Sequence, residues 1–380
     1  MTRRLLLVVL LSLGSLRLAA QSLNLEDLQI HGFATQGFLY SSHNNYLTMS
    51  SSSGSLQWTE GAISLNDPLN DNLRVGMQLH MYQMGQIGGP NVVIDWASGD
   101  YNVSDRLGFR AGKVKIPMGL YNDSQDVDSL FLWVLLPQSI YPVENRDFDL
   151  ALLGGEVYGE QTLGSSEGMV QYRGYYGGST LDTNGGYNLL LQQFGLFFSS
   201  PPSGKDYGGD LRWVTPWRDL MVGASAQSQG LDGTAPQGSL HMAPTFLDAF
   251  YAEWKWKKAS FEGEYWRSPL CPVLTIGSAV VPIPVDARAW YGMASYELTK
   301  KLEVGTYYSH YVNKDADTLL PQNYSKDWVT AGRYNFNQYL YGKVEAHFLH
   351  GTGLGYYADT NPNGLKPNSS MLAARVGFAF

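Results

Sequence analysis

Apolar and polar-or-small side chains alternate along this chain in sixteen stretches: 28–39, 55–65, 73–83, 91–101, 107–117, 150–159, 168–177, 209–216, 219–228, 246–257, 259–267, 287–298, 301–312, 327–336, 339–349 and 370–380. A repeat of two marks β-strands, whose successive side chains point to opposite faces. Roughly 9–11 tilted residues carry a strand across a bilayer, and sixteen is an even number within the range of bacterial outer-membrane barrels. The connectors sort as well. Short links lie near Asn66 to Asn72, Asn102 to Arg106, Gln161 to Glu167, Trp217-Arg218, Lys257-Lys258, Thr299-Lys300 and Asn337-Gln338. Long ones lie at 40–54, 84–90, 118–149, 178–208, 229–245, 268–286, 313–326 and 350–369. A soluble sandwich has no reason to sort its loops by length. The expected fold is all-β: a transmembrane antiparallel β-barrel of about 16 strands, with short periplasmic turns and long external loops.

Composition removes the competitors. Charged residues are 16% of the chain, below the usual ~25%, and 42 glycines and 25 tyrosines argue against long helices. Apolar residues at 44% exclude disorder. Beyond residue 20 the longest apolar run, Leu130 to Leu136, is far too short for a membrane helix. A pI near 5.4 leaves no footprint for nucleic acid. The single cysteine, Cys271, permits no intrachain disulfide and reads as a free loop thiol. Residues 1–20 read as a signal peptide: Arg3 and Arg4, an apolar Leu5 to Leu13, then Leu18-Ala19-Ala20 before a cut. The barrel is then 21–380, and its expected location is the bacterial outer membrane.

The two faces of the strands give the site. In 73–83, Val75, Met77, Leu79 and Met81 oppose Arg74, Gln78 and His80; in 339–349, Leu340, Val344, Ala346 and Phe348 oppose Lys343, Glu345 and His347. A charge at the lipid midplane costs up to about 2–4 kcal/mol, so the charged faces belong to a wet lumen. The expected pore-lining cations are Arg74, Lys113, Lys115, Arg173, Arg212, Lys255, Arg333, Lys343 and Arg375. The expected anions are Asp95, Glu253, Glu262, Glu264, Glu303 and Glu345. Tyr40, Tyr101, Tyr158, Trp213, Trp217, Tyr251, Trp254, Trp256 and Tyr265 read as interfacial girdles. The chain ends Arg375-Val376-Gly377-Phe378-Ala379-Phe380, alternating to a terminal Phe.

Catalytic signatures are weak. Gly164-Ser165-Ser166-Glu167-Gly168 has the spacing of a nucleophile elbow but lies in a turn between strands, without the helix an elbow requires. His347 and His350 fall on opposite faces, Asp315 and Asp317 read as solvated loop acids, and Glu262 and Glu264 as lumen charges. No metal site, cofactor or enzymatic activity is expected.

In Gly112 to Asn122, Val114 and Ile116 share one face, assigned to lipid, and Lys113 and Lys115 the other. Pro117 and Gly119 stop the strand before the excursion 118–149, with an expected helix from about Asp126 to Leu135. If this loop folds inward as a constriction, its Asp123, Asp126, Asp128, Glu144, Asp147 and Asp149, with Arg146, meet the wall cations. If its apolar helix packs outside, it covers a subunit neighbour.

His31-Gly32-Phe33-Ala34-Thr35-Gln36-Gly37-Phe38, followed by Asn44-Asn45-Tyr46, resembles the opening of bacterial outer-membrane porins of the phosphate-selective porin O/P-like group. Leu73 to Leu79 and Lys113 to Leu120 are similar to that group's early strands, and the C-terminal strand also fits. The resemblance spans roughly residues 30–150 and is architectural afterwards. It implies a sixteen-stranded, trimeric barrel that passes small hydrophilic solutes or ions by diffusion, in contact with outer-membrane lipids. The final Phe380 resembles the signal read by the outer-membrane insertion machinery. Anion selectivity is not carried over, because the group's arginine ladder does not align residue by residue and this chain is acidic. An exported all-β glycan-binding protein or a barrel enzyme are the competing readings.

Overall fold

The computed structural model describes residues 27–164, 166–217 and 219–380; the expected leader lies outside the described residues. Sixteen antiparallel strands form the wall: β1 (Gln29–Ser41), β2 (Trp58–Pro68), β3 (Leu73–Met84), β4 (Ile87–Ser104), β5 (Leu107–Lys115), β6 (Ala151–Gly164), β7 (Gly168–Thr180), β8 (Ser203–Val214), β9 (Leu220–Ala235), β10 (Gly238–Trp256) and β11 (Ala259–Leu270), then, after a small hairpin, β14 (Val285–Glu297), β15 (Leu302–Asn313), β16 (Tyr324–Asn335), β17 (Leu340–His350) and β18 (Asn368–Ala379). The hairpin, β12 (Val273–Ile276) and β13 (Ala279–Pro282), stands on the extended β10. Each wall strand pairs with its sequence neighbour, and β18 returns to β1 with Phe33 opposite Ala379 and Ser41 opposite Met371. Closure leaves no edge, which lipid requires, because unpaired backbone groups there cost roughly several kcal/mol each.

Alternation sorts the two faces as expected on β16 to β18. Trp328, Tyr334, Val344, Phe348, Leu372, Val376 and Phe378 are exposed outward, while Val329, Lys343, Glu345, His347 and Arg375 are buried inside. Two connectors expected to be long are tight turns, at 85–86 and 236–237. The strands run on through glycine- and proline-rich stretches that hide their period, and the ladders slip at Gln78/Leu79 and Met242/Thr245. Gly85 makes the first turn with φ +60, a backbone that side chains rarely adopt.

A large apolar cluster sits inside the barrel. Leu132, Trp133, Ile140 and Tyr141 cluster with Tyr291, Met293, Tyr307 and Val329, inward residues of β14–β16. The excursion between β5 and β6 is therefore folded into the lumen, and the outside placement is excluded.

At the seam, Phe380 and Gly32 exchange two backbone hydrogen bonds, N to O at 2.9 and 3.0 Å, and the Phe380 ring stays exposed beside Phe378. Deleting Phe380 removes both bonds and a lipid-facing ring. Heat-modifiable gel migration should show a marked loss of folded barrel, against little effect from deleting one residue of loop 351–367.

Candidate functional site: the lumen and its folded-in loop

The loop 116–150 is held by wall side chains that satisfy its backbone. Its neck is closed by Ile116 N–H to Leu150 O (2.9 Å) and by the Asn122 amide, which donates to Ile116 O and Asp149 O. Further in, Glu264 of β11 accepts from Leu120 N–H (2.7 Å) and the Tyr141 hydroxyl (2.6 Å). Glu345 of β17 accepts from Val134 and Leu135 N–H. Arg212 donates to Gly119 O, Arg333 to Ser129 O and Phe131 O, and Lys343 to Asp128 O and Trp133 O. With its backbone groups satisfied this way, the segment has no need of a helix. The expected helix from Asp126 to Leu135 is absent; a single 3-10 turn, Asp128–Leu130, stands in its place.

Asp128 is the central anchor. Its carboxylate meets Arg375 (2.5 Å), Lys343 (3.0 Å) and the Tyr341 hydroxyl (2.7 Å), from β17 and β18. Arg375 also reaches Glu60 on β2 (3.0 Å), crossing β1 at Gly37, its direct partner in register. A Cβ on Gly37 would lie 2.6 Å from the Trp58 ring, the ring over which the Arg375 guanidinium stacks. Glu60 continues to His80 (3.1 Å), His80 faces Asp95 (3.7 Å), and Asp95 pairs with Arg146 (2.6 Å) near the other end of the loop. One chain of charges thus joins both flanks of the loop to β2, β3, β4, β17 and β18.

The wall from β3 to β6 carries alternating charges in register. Arg74, Asp100, Arg110 and Glu156 stand side by side on β3, β4, β5 and β6, with ion pairs of 3.1, 3.1 and 2.9 Å. Arg173 on β7 then bridges Glu156 (2.7 Å) and the loop's Asp123 (2.6 Å). Between this row and the loop lies a cavity of about 270 Å³, lined by both signs of charge, with Trp96 and Lys115. Each wall arginine in the row has a carboxylate partner.

Most expected residues fall where alternation put them. Arg74, Asp95, Arg173, Arg212, Arg333, Lys343, Glu345 and Arg375 point inward into these contacts. Lys255 is at the short-turn end, on Glu253 (2.7 Å). Asp123, Asp126 and Asp128 meet wall cations, Asp126 through Lys115 (2.7 Å). Lys113 departs from expectation. Its ladder partners are Ala97 and the outward, exposed Leu153, and its ammonium donates to Ile94 O. Val114 and Ile116 are buried rather than lipid-facing; Ile116 packs with Met118, Leu152, Tyr175 and Ala249 beneath the loop. The folded-in loop offers apolar residues an interior that period two alone cannot distinguish from lipid. Tyr158 and Tyr251 also leave the girdles, donating to Asp100 and Asp210. Among the described residues Glu144 and Asp147 form no ion pair with a wall cation: Glu144 is buried by Gly355 and Tyr357, and Asp147 accepts from Asp182 N–H. Arg110, Glu60 and Glu156 were missed, although the alternation of Arg110 with Leu107 and Phe109 carries the signal.

The loop carboxyls titrate in opposite directions. Burial alone would raise Asp128, but Arg375 and Lys343 hold it down to about 2. Burial pushes Glu144, Asp147 and Asp149 up to about 7, with Asp182 adding to the effect on Asp147. A raised carboxyl binds its proton more tightly when folded, so its stabilisation is full below the ordinary range near ~4 and lost as pH rises through about 7. Hydrogen exchange across 139–149, corrected for intrinsic rates, should be slower at pH 5.5 than at pH 8.5; equal protection would refute this. Asp128→Ala leaves the buried Lys343 without a counter-charge and Arg375 with Glu60 alone, a loss of about 3–5 kcal/mol, and should expose the loop to protease while the barrel stays folded.

No family model matches this chain, and no curated protein matches it. Solved structures do. The chain is similar to OmpF of Salmonella typhi in complex with daunomycin (13% identity, 93% of this chain and 97% of that one, TM-score 0.58). It is also similar to an anion-selective porin from Comamonas acidovorans (10%, 93% and 99%, 0.56). A third likeness is to the trimer form of OmpT, an outer-membrane protein of Vibrio cholerae (10%, 93% and 99%, 0.55). Over nearly its whole described length, this chain has the closed antiparallel barrel fold of outer-membrane proteins.

Proposed function

We propose that the chain is a porin of the outer membrane: a passive channel for small hydrophilic solutes or ions, assembled as a homotrimer and not an enzyme. The observation that carries this reading is the inversion of polarity. Aromatic and aliphatic side chains cover the outside, while charged side chains and a loop fastened to strands from β7 to β18 occupy the inside. A lumen so lined admits water, and the loop narrows it. The similar barrels include porins and one trimer, which supports both the transport and the assembly. Phe380 fits recognition by the insertion machinery that delivers such barrels.

Solutes pass along β3–β7, beside the alternating row. Because its arginines are paired, the row is close to electroneutral, and ion selectivity is modest. Single-channel recording in planar bilayers tests the reading: discrete conductance steps with small reversal potentials in KCl gradients are expected. A folded barrel that never conducts would overturn it. Arg74, with its side chain 60% exposed, is the accessible member of the row. Arg74→Glu should shift selectivity towards cations, more in dilute than in concentrated KCl, because ~0.1 M salt screens beyond about 10 Å. Lys113→Glu, on the other face, should leave the reversal potential unchanged.

A further inference from the structure

We propose that the two neighbouring turns 257–258 and 298–301 form a binding site for the phosphate headgroup of an anionic phospholipid, in the leaflet at the short-turn end of the barrel. The proposal rests on the membrane-embedded reading but not on conduction.

Lys257 and Lys258 make the turn between β10 and β11; Lys300 and Lys301 close the turn between β14 and β15. β11 pairs directly with β14, Ala259 opposite Tyr296, and Glu297 N–H donates to Lys258 O (2.9 Å). The pairing therefore gathers four lysines on one stretch of rim around a cavity of about 280 Å³. Among the described residues none of the four is in an ion pair. Of the nearby acids Glu253 is committed to Lys255 (2.7 Å), while Glu297 and Glu303 line the cavity with the lysines. Two of the four positive charges are left without an offsetting acid, and crowded like charges favour an anion between them.

The lipid-facing surface beside the turns selects the anion's chemistry. Trp254, Trp256, Phe261, Tyr296 and Leu298 are exposed there. Trp254 lies 6.4 Å from Trp256 and 5.6 Å from Phe261 between ring centres. The Lys257 ammonium sits 5.1 Å from the Trp256 ring centre, tying the basic cluster to the outer surface. A soluble anionic polymer needs only the charges. A phospholipid uses both parts, lysines for the headgroup phosphate and the aromatic wall for its acyl chains. At the same rim the turns at 69–72, 105–106 and 166–167 carry Asp71, Asp105 and Glu167 with the single cation Arg106.

The test uses the full chain in nanodiscs containing equal phosphatidylglycerol and phosphatidylcholine, with retained lipid counted by mass spectrometry after detergent extraction. The wild-type barrel should retain phosphatidylglycerol at least about fivefold over phosphatidylcholine. K257Q/K258Q/K300Q/K301Q should abolish the enrichment with unchanged heat-modifiable migration, whereas K314Q/K326Q, at the other rim, should keep it. If the quadruple variant fails to fold, K257Q/K258Q is scored in its place and should lose at least half of the enrichment. Equal retention of the two lipids by wild type, or full enrichment in the lysine variants, overturns the proposal. Displacement of the lipid by inorganic phosphate at matched concentration also overturns it, by showing a free-anion site. A barrel that enriches the lipid but never conducts would refute the channel reading and leave this one standing.

Discussion

Everything in this molecule depends on a backbone with no free edge. In hydrocarbon a strand cannot borrow water to satisfy its N–H and C=O groups, so the last strand must find the first. Nine rungs, Phe33–Ala379 to Ser41–Met371, and the Phe380–Gly32 exchange achieve this. Once the wall is closed, period two has only two destinations for side chains, lipid and lumen. Charge then collects inside because outside it is too costly.

A charged interior raises a second problem, since charges facing one another across a narrow lumen need partners. The structure meets it in two ways. On β3–β7, carboxylates and arginines alternate in register, so neighbours on the wall neutralise one another. On β17, β18 and β2, the cations and acids turn to the loop and fasten it. The loop is an irregular segment buried without secondary structure of its own, which is tolerable only because Glu264, Glu345, Arg212, Arg333 and Lys343 take up its backbone groups.

The wall was almost fully legible in the sequence. Arg333 against Trp328 and Tyr334, or Arg375 against Val376 and Phe378, needs only alternation to be placed. The interior was less so. Lys113 and Val114 were exchanged because an apolar residue beneath a loop obeys the same rule as one in lipid. The expected helix failed because wall side chains over two hundred residues away, such as Glu345 and Arg333, outcompete local hydrogen bonding, and no local window contains them. The strands beyond Met84 and Gln229 were hidden by Gly88, Pro90 and Pro244, which usually announce loops.

The crossing of Arg375 over Gly37 has a consequence in time. Asp128 lies early in the chain, yet two of its fasteners, Lys343 and Arg375, belong to the final two strands, and Glu60, which shares Arg375, belongs to the second. These groups become neighbours only after the first and last strands have met. The docking of Asp128 is therefore an event of the completed cylinder, and a growing sheet, even where Arg173 and Glu264 already hold other parts of the loop, must carry that anchor unfastened until its last strand arrives.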